Sequence, residues 1–99
     1  MQAFYAENFE REMGCTEKEW LAWLPQALGT HPYVLVSGAV TATIEGGMLN
    51  LCWRVGAPRL IALARIPRLL VTFRFSGLDD LQRYRFMKRF DLYMQRGGG

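Results

Sequence analysis

Cysteine and histidine are scarce in this chain: Cys15, Cys52 and His31 are all it has. A zinc or other transition-metal site needs three or four nitrogen, sulfur or carboxylate ligands at suitable spacing, and no such cluster is present. Two thiols this far apart do not make a disulfide framework either, so both are expected free, in a reducing compartment. Long apolar runs are missing as well. Nothing approaches the ~20 residues that cross a bilayer as a helix. The opening residues Met1 to Glu7 lack the basic and apolar regions of a secretory signal, so a cytoplasmic location and no membrane association are expected.

A catalytic inventory is equally thin. His31 precedes Pro32 in a loop with no Ser or Cys nucleophile beside it in sequence, and a loop-capping role suits it better than general-base chemistry. Glu17 and Glu19 are read as helix-capping residues, and Asp79 and Asp80 as partners of a helix dipole. No catalytic residue and no cofactor is assigned.

What is abundant is apolar side chain: 51% of the 99 residues are hydrophobic and 21% charged. That is enough to bury one core without staples, and the length suits a single domain over 1–99. The net charge of +3 is unevenly spread. Glu7, Glu10, Glu12, Glu17 and Glu19 crowd the first twenty residues against Arg11 and Lys18, and most of the cations follow. The commoner cause of such asymmetry is an acidic helix matched to a basic body within the molecule; the other is a surface for nucleic acid or an acidic partner.

Thr16-Glu17-Lys18-Glu19 before Trp20 is a capping-box pattern that starts a helix, in which Pro25 forces a kink or a restart and which Gly29 closes. Phe4 to Met13 shows weak helical periodicity and is expected to be a short helix or arm within residues 1–15. From Tyr33 the apolar period becomes two, with Val34, Val36, Val40, Ala42 and Ile44 on one face of a strand. Gly46-Gly47 then predicts a two-residue hairpin pairing Ile44 with Leu49, Ala42 with Leu51 and Val40 with Trp53. Loops at 56–59 and 65–68 continue the phase into a third strand from Leu60 to Ala64 and a fourth ending near Phe75. In this register Val55 meets Leu60, and Ala62 lies between Trp53 and Val71. Beyond Ser76-Gly77 a second helix carries Phe86, Met87, Phe90, Tyr93 and Met94 on its broad apolar face and stops at Gly97.

The fold expected is a two-layer α+β sandwich, a four-stranded antiparallel meander with the N-terminal and C-terminal helices on one face. Its outer face would carry Ala39, Cys52, Ile61, Leu63 and Leu70 between Arg54, Arg59, Arg65, Arg68 and Arg74, with Arg59/Arg74 and Arg65/Arg68 as like-charged neighbours. Apolar surface rimmed by arginine marks protein association. Partner-binding residues are therefore assigned as Arg54, Ile61, Leu63, Arg65, Arg68, Leu70 and Arg74. Leu81, Tyr84 and Leu92, off the centre of the last helix's apolar face, form a second candidate interface. The expected partner is a second copy of the chain or another protein. Binding of an anionic ligand or nucleic acid by the same arginines is the alternative, weakened because Trp53, Phe73 and Phe75 fall on the inner face and leave no aromatic residues among the arginines. A pocket for an apolar ligand among Trp20, Trp23 and Trp53 is less consistent with so small a core than simple packing.

Two resemblances stand beside this reading. Arg96-Gly97-Gly98-Gly99 resembles the diglycine tails of ubiquitin-like sulfur carriers. Those tails follow a strand in a ββαββ order, whereas this one follows a helix, so no site is carried over and a flexible tail at 97–99 is expected. The stretch from Phe90 to Gly99, with the chain as a whole, resembles small bacterial proteins of unknown function, which implies a bacterial cytoplasmic setting and transfers no chemistry.

Overall fold

Strands dominate the middle of the chain because β-branched and aromatic residues alternate there with polar ones, and both helices begin where a side chain caps the first turn. The structure, a computed structural model, describes residues 4–96. The elements run β1 (Asn8–Met13), α1 (Glu17–Leu28), β2 (Tyr33–Val36), β3 (Ala39–Ile44), β4 (Gly47–Ile61), β5 (Ala64–Ser76) and α2 (Asp80–Arg96). All five strands form one antiparallel sheet in the order β1-β5-β4-β3-β2. The Gly97 helix stop and the 97–99 tail lie outside the described residues.

The capping box at Thr16 forms as the pattern implies. The Glu19 amide donates to Thr16 Oγ1 at 3.1 Å, and the Thr16 amide donates to Glu19 Oε1 at 2.9 Å. Pro25 neither ends nor restarts α1, which stays one helix as far as Gly29. A reciprocal pair also opens α2, where Gln82 N–H donates to Asp79 Oδ1 at 2.8 Å and Asp79 N–H donates to Gln82 Oε1 at 2.9 Å. Both helices lie on the inner face of the sheet. Trp20 meets Trp53 edge-on at 5.5 Å and Phe90 at 6.0 Å, while Phe90 stands edge-on to Phe73 at 5.6 Å. Trp20, Leu24, Leu28, Leu51, Phe73, Met87 and Phe90 are buried together.

The sheet has five strands, not four, and the differences from expectation have separate physical causes. Phe4 to Met13 forms no helix; residues 8–13 add a strand beside β5, with Phe9, Arg11 and Met13 half-buried and Asn8, Glu10 and Glu12 outward. Its alternation is masked in sequence because Arg11, an inward position, is charged. The stretch from Tyr33 to Glu45 is two strands, since Gly38 at φ 75° turns the chain and sets Val36 opposite Ala39. That turn reverses the phase, so Val34 and Val36 face outward, away from Val40, Ala42 and Ile44.

The β3–β4 turn uses Glu45 and Gly46, at φ 46° and 86°, instead of Gly46 and Gly47. Val40 therefore meets Leu51 and Ala42 meets Leu49, a slide of two residues that leaves every side chain on its expected face. Gly47 is consumed by packing: a Cβ there would stand 2.6 Å from the Ser76 carbonyl oxygen and 2.7 Å from the Leu78 side chain.

The largest departure is at the proposed third strand, which does not exist as a separate element. The chain does not reverse at 56–59; a register shift between Gly56 and Arg59 absorbs Pro58, and β4 runs on to Ile61. It turns only at Ala62, φ 51°. Trp53 then pairs directly with Val71 and Leu51 with Phe73, both pairs on the helix-covered face. Ala62 sits exposed at a hairpin tip. This end of the hairpin is an arm whose side chains are mostly exposed on both sides.

Candidate association surfaces

The arm inherits most of the residues read as an outer-face strip. Leu63, at its tip, is fully exposed, and Val55, Leu60 and Ile61 are more than half exposed. Ile61 and Leu63 thus belong to the arm and not to the sheet face. Leu70, half-buried, and Cys52, exposed, remain on the outer face together with Ala39, Arg54 and Arg74.

The expected like-charged neighbours are not opposed. Arg59 lies across from Ile66, Arg65 from Leu60, Arg68 from Gly56, and Arg74 sits between Asn50 and Asn8. Instead Glu12 of β1 gathers two of these arginines from the arm: Arg59 Nη2 donates to Glu12 Oε1 at 2.7 Å and Arg68 Nη2 to Glu12 Oε2 at 3.1 Å. Arg68 also donates to the Ala57 carbonyl at 3.1 Å. Residues 8–13 do not cross the outer face. They extend its edge and tether the arm through a single carboxylate. Arg54, Arg65 and Arg74 have no carboxylate partner among the described residues.

The Arg68 hydrogen bond, with the positive charges of Arg59 and Arg68, holds the Glu12 carboxyl below its usual range. A depressed folded-state pKa contributes stability above the unfolded value, ~4.3 for glutamate, and that contribution is lost as pH falls through the folded value. Wild type is therefore expected to be more stable than Glu12→Gln at neutral pH, with the gap closing in acid below that range. Thermal unfolding of both proteins from neutral pH to pH ~3 measures it; a gap independent of pH would show that the carboxylate charge is not what holds the arm.

Strand β2 is a second surface, and sequence reasoning missed it. Tyr33, Val34, Leu35 and Val36 are 39%, 66%, 51% and 58% exposed, on an edge that no other strand covers among the described residues. A groove of about 430 Å³ lies inward of it, lined in part by Leu21, Leu35, Val36 and Trp53. The Trp53 indole N–H donates to Glu17 Oε2 at 2.8 Å, which fixes the groove's inner wall. Reading Ser37-Gly38 as a turn between two apolar runs would have disclosed this edge. The opposite edge, β1, carries Asn8, Glu10, Arg11 and Glu12.

On α2, Leu81 and Leu92 are exposed and Tyr84 is half-buried, with Lys88 Nζ 6.0 Å from its ring. His31 packs 5.6 Å from Phe86. Among the described residues no group of three or more His, Cys, Asp or Glu is placed to hold a metal ion, and no helix is long and apolar enough to cross a membrane.

The two thiols are both unpaired and differ sharply in setting. Cys52 is exposed; Cys15 is buried, and burial together with the nearby Glu19 charge pushes its pKa up to about 11. Because the thiolate is the reactive form, iodoacetamide is expected to label Cys52 alone in the folded chain and both residues in urea. Mass spectrometry of the labelled peptides reads this directly.

Comparison with protein-family models, with curated proteins and with solved structures finds no match.

Proposed function

We propose that the protein is a non-enzymatic association module that assembles with copies of itself, the smallest assembly being a homodimer. The observation that carries this reading is the concentration of exposed large apolar side chains on two elements, the β2 edge and the β4–β5 arm. Scattered exposed leucines are ordinary on a monomer, whereas contiguous ones on a strand edge and a projecting hairpin cost solvation that association recovers. The outer face around Arg54, Leu70 and Arg74, and the Leu81/Tyr84/Leu92 side of α2, extend the surface available to a partner. The free thiols suit a reducing, cytoplasmic setting.

Sedimentation velocity and light scattering over a wide concentration range test the proposal. The weight-average mass is expected to rise from one chain towards two; a constant single-chain mass at high concentration removes it. The competing reading, an anionic ligand or nucleic acid held by Arg54, Arg65 and Arg74, rests on their lack of carboxylate partners. Salt separates the two, since phosphate contacts weaken steeply with ionic strength and apolar association does not. Arg54, Arg65 and Arg74 face Leu70, Leu60, Asn50 and Asn8 across the sheet and no aromatic residue, which favours association.

A further inference from the structure

We infer that two copies join through β2, antiparallel about a twofold axis at Val34, making one continuous sheet from two; this rests on the self-association proposed above and names its surface. The Thr43 amide donates to the Pro32 carbonyl at 2.9 Å. That bond sets the phase of the β2–β3 ladder, because opposed residues in antiparallel strands alternate between bonded and unbonded pairs. Val34/Thr41 and Val36/Ala39 are accordingly the bonded pairs, so the main-chain N–H and C=O of Tyr33 and Leu35 point to the open edge.

Two residues separated by one, each presenting a donor and an acceptor, are self-complementary. With Val34 on the axis, Tyr33 of each copy exchanges two hydrogen bonds with Leu35 of the other, and none of these groups is left over. Side chains match on both faces. Outward, Val34 meets its own mate and Val36 lies beside Pro32; inward, Tyr33 lies beside Leu35, with Leu21 of α1 at the rim of the groove.

A second copy fits this edge better than a flexible peptide does. The edge is short, bounded by Pro32 and by the Ser37-Gly38 turn. It offers four hydrogen bonds, too few to offset ordering a free chain, whereas a copy of β2 arrives already ordered on its own sheet. It carries no charge to oppose its mate. The far edge of the sheet, β1, bears Glu10, Arg11 and Glu12, charges that disfavour further strand addition, so assembly closes at two.

The test uses wild type, Leu35→Pro and Leu63→Glu. The Leu35 N–H is outside the monomer's ladder, so proline there removes the intermolecular donor and the Leu35 side chain and leaves the ladder of the monomer intact. Leu35→Pro is expected to weaken the dimer about 100-fold or more by sedimentation, and Leu63→Glu to leave it intact. Amide exchange of wild type by NMR supplies a readout free of substitution: Tyr33 and Leu35 gain protection as concentration rises, while Val34 and Val36 are protected throughout. A dimer in which Tyr33 and Leu35 exchange freely, or one that Leu63→Glu dissociates and Leu35→Pro does not, overturns this inference and leaves self-association standing. A monomer at every concentration overturns both.

Discussion

Replacing Phe73 with alanine is expected to cost about 3–5 kcal/mol, a large share of the ~5–15 kcal/mol that stabilises a typical domain. Phe73 is fully buried on β5 and touches both layers of the fold at once. Its ring stacks on Phe9 of β1 at 4.6 Å with 10° between planes, receives the edge of Phe90 from α2 at 5.6 Å, and lies 5.4 Å from the Arg11 guanidinium. β1 reaches the sheet only through β5, so the substitution removes its apolar anchor as well as filling volume. Urea unfolding measures the loss, and amide exchange should show β1 opening before the rest. A loss near 1 kcal/mol with β1 still protected would mean that main-chain pairing alone holds that strand.

Much of this core was legible because period-two alternation survives errors that preserve parity. The two-residue slide between β3 and β4 left Val40, Ala42, Leu49 and Leu51 inward, and Trp53 and Val71 are inward in the expected and observed registers alike. What defeated the reading was any event that changes parity or strand count. The Ser37-Gly38 turn reversed Val34 and Val36. Pro58 looked like a loop residue but sits within a register shift, and that single reassignment removed one strand and created the arm. α1 and α2 announced themselves through their caps, whose chemistry is local. β1 did not, because its inward Arg11 is acceptable only beside a carboxylate eighty positions later, where Arg11 Nη2 donates to Asp91 Oδ2 at 3.0 Å.

The exposed apolar residues and the arginines were legible in composition and not in place. Ile61, Leu63 and the arginines are exposed or half-exposed as expected, yet Ile61 and Leu63 project from an arm and Arg59 and Arg68 are held by Glu12. Of the five N-terminal glutamates, Glu12 alone is paired with arginines among the described residues, and it does so from an edge strand. Glu12 meets the arm and Glu17 meets Trp53, while Arg11 meets Asp91. β2, an edge without charged residues, has no such pairing among the described residues.

The N-terminal segment is also held at its beginning, by Arg83 of α2. Arg83 of α2 is only 6% exposed, the one charged residue buried this fully among those described. Its Nε donates to the Tyr5 carbonyl at 2.8 Å, Nη1 donates to the Leu78 carbonyl at 2.6 Å, and Nη2 is paired with Asp80. Close by, the Tyr5 hydroxyl donates to Asp91 at 2.9 Å, and burial followed by that carboxylate raises the tyrosine's pKa. Arg83→Met keeps the aliphatic stem but leaves two carbonyls without their donor, and is expected to cost about 2–4 kcal/mol. Arg83→Lys should recover only part of it, because one ammonium cannot span three acceptors that a planar guanidinium reaches together. Limited proteolysis near residue 5, compared with urea unfolding, separates the consequences. If Arg83 is the clasp, cleavage accelerates in Arg83→Met well below the unfolding midpoint; equal cleavage in both proteins would place the anchor at Tyr5 and Asp91 instead.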